Sequence, residues 1–87
     1  MQTAYLVKID YKLVTTKVFV SYERAQAYYH EMVRSIENVL KSARQHYEVR
    51  EAHDKTFAVT EFKQYDVEHK YCKTLGLVSI NRTLLEV

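Results

Sequence analysis

Residues 17–47, KVFVSYERAQAYYHEMVRSIENVLKSARQHY, hold the transition on which the fold turns. Lys17, Val18, Phe19 and Val20 form a β-branched and aromatic run, and Ser21 follows directly, a residue whose hydroxyl accepts from the free amides of a first helical turn. Glu23 adds negative charge where the helix dipole is positive. Apolar residues then recur at Ala25, Tyr29, Met32, Ile36, Val39, Ala43 and His46 or Tyr47, with Tyr28, Val33 and Leu40 widening the stripe. Arg24, His30, Glu31, Arg34, Glu37, Asn38, Lys41 and Gln45 make the opposite side polar, and Glu37 with Lys41 forms a favourable i,i+4 pair. The spacing is heptad-like for only about three repeats, so it predicts an amphipathic helix on a sheet rather than a coiled coil. No glycine marks the helix end. A helix from Tyr22 to His46 is about 37 Å long, against about 17 to 20 Å for a typical strand, which predicts an overhanging end that exposes Tyr47 and Val49. Residues 48–54 read either as more helix or as a charged connector.

Upstream, Tyr5, Val7 and Ile9 alternate with Leu6, Lys8 and Asp10, the period-2 pattern of a strand with one buried face. With residues 17–20 this makes a hairpin. Its turn falls at Asp10 to Lys12 in the preferred reading, or at Thr15 and Thr16 if the strand runs on to Val14. Downstream, residues 56–65 carry Phe57, Val59, Phe62 and Tyr65, with a slip in apolar parity between Val59 and Phe62 that a bulge or an edge strand produces. A polar connector around Asp66 to Lys70 leads to a last strand, Tyr71 to Ile80. Asn81 and Arg82 are read as a turn into a terminal segment, 83–87, and a short helix capped by Asp66 over 66–75 is the alternative. The expectation is one α+β domain over residues 1–87. Its order is ββαββ, a mostly antiparallel four-stranded sheet with one long amphipathic helix packed on one face.

Composition excludes many functions. Gly76 is the only glycine, there is no proline, and Cys72 is the only cysteine. A phosphate-binding glycine loop, a dinucleotide turn and a nucleophile elbow all need more glycine than this. One cysteine gives no internal disulfide and no multi-thiolate zinc site, and a small domain without disulfides fits a reducing compartment, so the expected location is cytoplasmic. The first ten residues lack a basic stretch followed by an apolar run, and no run reaches the ~20 apolar residues of a membrane span. A hydrophobic fraction of 47% with 28% charged residues fits an ordered chain rather than a disordered one. The net charge of +2 comes from acids and bases mixed along the whole length, unlike the clustered basic face of a phosphate-neutralising nucleic-acid binder.

Few residues suggest site chemistry. His69 and Cys72 have H-x-x-C spacing with His46 or His53 as possible partners, which falls short of the four paired ligands of a structural zinc site, so surface histidines and an interior strand cysteine are the expected reading. Ser21 is better explained as a cap than as a nucleophile. Glu48 with Glu51, and Asp66 with Glu68, read as solvated pairs. No metal, cofactor or catalytic residue is assigned, and a non-enzyme is expected.

Tyrosine is the informative type. Eight tyrosines exceed what one small core hides, because each hydroxyl needs a partner or water. Tyrosine and arginine are enriched at protein interfaces. Tyr22, Arg24 and Tyr28 at the helix start, and Arg44, Tyr47 and Arg50 at its end, are therefore the candidate protein-binding residues. The expected function is non-catalytic binding of another protein as an interaction module or inhibitor, a class common among phage and mobile-element proteins that act on a host enzyme or defence complex. Self-pairing through an edge strand or the helix stripe makes a homodimer a further expectation. The alternative is a nucleic-acid accessory protein that stacks bases on the open sheet and holds phosphates with Lys8, Tyr11, Lys12 and Lys17.

Overall fold

The computed structural model describes residues 2–54, 57–68 and 70–85. In chain order the elements are β1 (Gln2–Tyr11), β2 (Leu13–Phe19), α1 (Tyr22–Ser42), β3 (Glu48–His53), β4 (Phe57–Tyr65) and β5 (Cys72–Leu85). All strand pairs are antiparallel, and the five strands run in the order β2-β1-β5-β4-β3. The α+β class and the single helix over an open antiparallel sheet agree with the sequence reading. The four strands and the ββαββ order do not. The fifth strand is β3, EVREAH, which lies at the sheet edge with every residue exposed and so carries no apolar alternation to announce it.

The N-terminal hairpin turns at Lys12, which takes a left-handed φ of 66° between the paired Tyr11 and Leu13. This is the preferred turn of the two. At the start of α1, Ser21 is extended and its hydroxyl accepts from the Arg24 amide at 3.4 Å. At its end, Arg44 adopts φ 55°, the Arg44 amide donates to the Lys41 carbonyl and the Gln45 amide to the Leu40 carbonyl. That pattern is a Schellman stop, filled here by arginine where glycine is usual. The helix therefore ends at Ser42, about 31 Å long, beside a β5 of 14 residues. The sheet outruns the helix, and the expected overhang is absent: Tyr47 is half-buried with its ring 5.7 Å from that of Phe62.

The expected parity slip proves to be two separate features. Val59 and Phe62 point to opposite faces of an interior strand, and the register irregularity follows one residue later, between Phe62 and Lys63. Asn81 and Arg82 do not turn; β5 continues to Leu85, paired throughout with β1. No helix forms over the described part of 66–75: Asp66 instead accepts from the Lys70 and Tyr71 amides at 2.7 and 3.3 Å and closes the loop between β4 and β5. Cys72 opens β5 in an exposed position, which corrects the expected interior cysteine. The readings that involve Thr56, His69 and residues 86–87 lie outside the described residues.

The core is one layer between α1 and one face of the sheet. Ala25, Tyr29, Ile36 and Leu40 of the helix meet Val7, Phe62, Val78 and Ile80 of the sheet. Register places these sheet residues in rows: Val7 beside Ile80 and Ala58, then Ile9 beside Val78, Thr60 and Glu51. Gly76 sits where a Cβ would lie 3.0 Å from the Tyr11 ring and 3.5 Å from Ile36, so its lack of a side chain admits the aromatic ring and the helix together. The Tyr29 hydroxyl and the Thr60 hydroxyl are hydrogen-bonded to each other in the interior. That bond satisfies two polar groups whose burial unpaired would cost about 1 to 3 kcal/mol each.

Candidate interaction surfaces

A helix is about 10 Å across, whereas five strands at about 4.8 Å spacing put the outer strands about 19 Å apart. One helix cannot cover such a sheet. The helix α1 lies over β1, β5 and β2, and reaches β4 through Tyr29, so the helix-side surface of β3 and the outer part of β4 stays open. The helix covers none of the opposite face of the sheet, on which Ala4 and Ser79 are buried among neighbouring strands.

The uncovered side of β3 and β4 forms a cleft of about 320 Å³ against the first half of the helix. Ile80 and Ala58 floor it, Gln26 and His30 stand on the helix wall, and Glu51 and His53 rise from β3. Thr60 pairs with Glu51 across the β3–β4 ladder, which places that carboxylate beside the Tyr29–Thr60 bond. Burial above all pushes the Tyr29 phenol above its ordinary value; the Thr60 hydrogen bond pulls the other way, and the Glu51 charge adds to the rise. The His30 ring stands nearly perpendicular to that of Tyr29 at 5.3 Å.

The opposite face has a different grain. One row crosses the sheet as Val18, Leu6, Asn81 and Phe57; the next as Thr16, Lys8, Ser79, Val59 and Ala52; a third as Val14, Asp10, Leu77, Glu61 and Arg50. Val14, Val18 and the neighbouring Val20 are 59%, 51% and 63% exposed. Within this face Lys63 meets Glu61 at 3.4 Å. The surface thus grades from an apolar corner on β2 and β1 to mixed charge on β4 and β3.

The structure disperses the tyrosine and arginine candidates. Tyr22 and Arg24 are exposed at the helix start, with the Tyr22 ring 5.2 Å from that of Tyr5. Tyr28 is half-buried against Phe19 at 5.4 Å, and Tyr47 against Phe62. Arg44 occupies the helix stop, and Arg50 points to the uncovered sheet face in the row of Glu61. The basic candidates are split in the same way. Lys8 lies on the uncovered face, Lys12 in the hairpin turn, and Tyr11 and Lys17 on the helix side, where the Lys17 ammonium rests over the Tyr28 ring at 4.8 Å and the Phe19 ring at 5.5 Å. Of these candidates, Tyr22 alone lines the cleft; the sequence reading missed the rest of it, which comes from residues 26–30, 51–54, 58–60 and Ile80, segments that nothing local connects.

Among the described residues, no group of three or more histidine, cysteine, aspartate or glutamate side chains is placed to hold a metal ion. Nor, among the described residues, is any helix long and apolar enough to cross a membrane. Compared with models of known protein families, with curated proteins and with solved structures, the chain has no match.

Proposed function

We propose that this protein is a non-catalytic binding module that acts by occupying a surface of another protein, as an inhibitor or adaptor, through the sheet face the helix leaves uncovered. The observation that carries this reading is the β2 edge of that face, where Val14, Val18 and Val20 stand more than half exposed, Val18 beside Leu6 and Val14 beside Asp10. Apolar side chains gathered on one exposed face mark interaction sites more often than isolated ones do. Mixed charges beside the corner, Lys8, Asp10, Glu61 and Arg50, suit the polar rim of a protein interface. Of the residues that the nucleic-acid reading groups, Lys8 lies on this face, whereas Tyr11 and Lys17 belong to the helix side, so together they form no single surface for stacking bases and holding phosphates.

The test is affinity capture from a lysate of the native source, with nuclease, using the wild-type protein and a Val14→Lys/Val18→Lys variant. A stoichiometric protein partner held by the wild type and lost by the variant supports the reading. Recovery of nucleic acid instead, or of partners that nuclease removes, would transfer the function to the nucleic-acid alternative.

A further inference from the structure

We propose that the β3 edge and the cleft beside it form a second binding site, which accepts an extended segment of a partner protein by strand addition and seats one of its lysine or arginine side chains against Glu51. This goes beyond the uncovered face, since it lies on the helix side of the sheet and at the opposite edge from β2.

Three observations converge. First, β3 pairs only with β4, so alternate residues of Glu48–His53 direct their backbone N–H and C=O groups away from the sheet, the template that strand addition uses. Second, the cleft adjoins that edge on the helix side. An added strand sends every second side chain to that side, about 4.5 to 5.5 Å from its cross-strand neighbour, and Val49, Glu51 and His53 are the β3 residues that face the same way. Backbone pairing and a side-chain pocket therefore meet at one place. At about 320 Å³ the cleft is at the small end of the range for ligand pockets, about 300 to 1,000 Å³, a fit for a long side chain rather than for a large cofactor.

Third, the charge has one sign. Among the described residues the carboxylates Glu51 and Asp54 line the cleft and no lysine or arginine does, in a chain whose net charge is +2. Glu51 forms no ion pair among the described residues. A guanidinium or ammonium entering beside Ile80 and Ala58 would lay its aliphatic stem on those side chains and bring its charge to the carboxylate. The other edge offers no such place. On β2 the helix side carries Lys17, whose ammonium lies over Phe19 and Tyr28 and would repel an entering basic side chain.

The test selects a display library of random dodecapeptides on the purified protein, then titrates the enriched peptides into wild type and Glu51→Gln, with NMR for location and calorimetry for affinity. The expected peptides alternate β-branched residues with lysine or arginine, shift the amides of residues 48–53 together with Gln26 and His30, and bind Glu51→Gln about tenfold more weakly. Glu51→Gln should melt as the wild type does, because the side chain is exposed. The Val14→Lys/Val18→Lys variant should bind the peptides at wild-type strength, which separates this site from the uncovered face. Failure to enrich any peptide, enrichment of acidic or purely apolar ones, or equal binding by Glu51→Gln would overturn the proposal. So would arginine amide binding as tightly as the peptides, since strand pairing would then contribute nothing.

Discussion

The two faces of the same strands differ sharply. Toward the helix, Val7, Val78 and Phe62 have no exposed surface, whereas on the other face Lys8 is exposed and Leu77 half-buried, and only the small side chains Ala4 and Ser79 are buried among the named residues there. A strand alternates its side chains, so stability and recognition are sorted by residue parity on shared backbone. Substitutions on the helix side should therefore read out in unfolding, and substitutions on the uncovered side in binding.

The strongest way to break that comparison is Phe62→Ala. Loss of a fully buried aromatic ring should cost about 3 to 5 kcal/mol, measured as a shift of the urea midpoint; a cost near zero would show that the helix side is not the core. An intermediate effect is expected at the buried hydroxyl pair. Tyr29→Phe strands the Thr60 hydroxyl, which is 2% exposed, and should cost about 1 to 3 kcal/mol. The double variant Tyr29→Phe/Thr60→Val, which removes both polar groups, should recover most of that loss in a double-mutant cycle.

The same pair sharpens the comparison through pH. With the Tyr29 phenol raised above the ordinary value of 10.0 by burial, the folded state holds its proton more tightly than the unfolded chain does. The resulting stability is complete below pH 10 and is lost as pH rises through the folded-state value. Melting temperature should fall in that alkaline window, and by less in Tyr29→Phe. The smallest expected effect belongs to Val14→Lys/Val18→Lys, whose stability should lie within about 0.5 kcal/mol of the wild type. A large destabilisation there would mean that the uncovered face supports the fold.

Much of the fold was legible where packing leaves a local trace. Ser21 caps the helix, Glu37 pairs with Lys41 at 3.1 Å, and the buried helix residues Ala25, Tyr29, Ile36 and Leu40 all belong to the stripe read from the sequence. Val39 and Ala43 of that stripe are exposed, because a helix lying on a sheet buries a narrower arc than the heptad-like spacing suggests. The strand β3 left no apolar trace because neither of its faces is covered. The helix stop was illegible because Arg44 supplies a left-handed residue where the usual marker is glycine. Tyr28 and Tyr47 looked like free surface aromatics, yet each leans on a phenylalanine of a neighbouring strand, Phe19 of β2 and Phe62 of β4. Sites assembled across distant segments, such as Gln26, Glu51 and Thr60 around the cleft, have no sequence signature at all.

The central pairing of β1 with β5 joins Gln2 to Leu85, and it governs how the chain reaches this state. The hairpin β1–β2 and the run β3–β4–β5 each close over short loops, so each can form early from neighbouring residues. Their seam is different: it must bring together segments separated by nearly the whole length, and such non-local pairing slows folding. During synthesis β1 waits with one edge unpaired until β5 has left the ribosome, and α1 has only part of its sheet to rest on. Joining the two halves is thus the expected rate-limiting event, and the interval before it is when this protein is most exposed to aggregation.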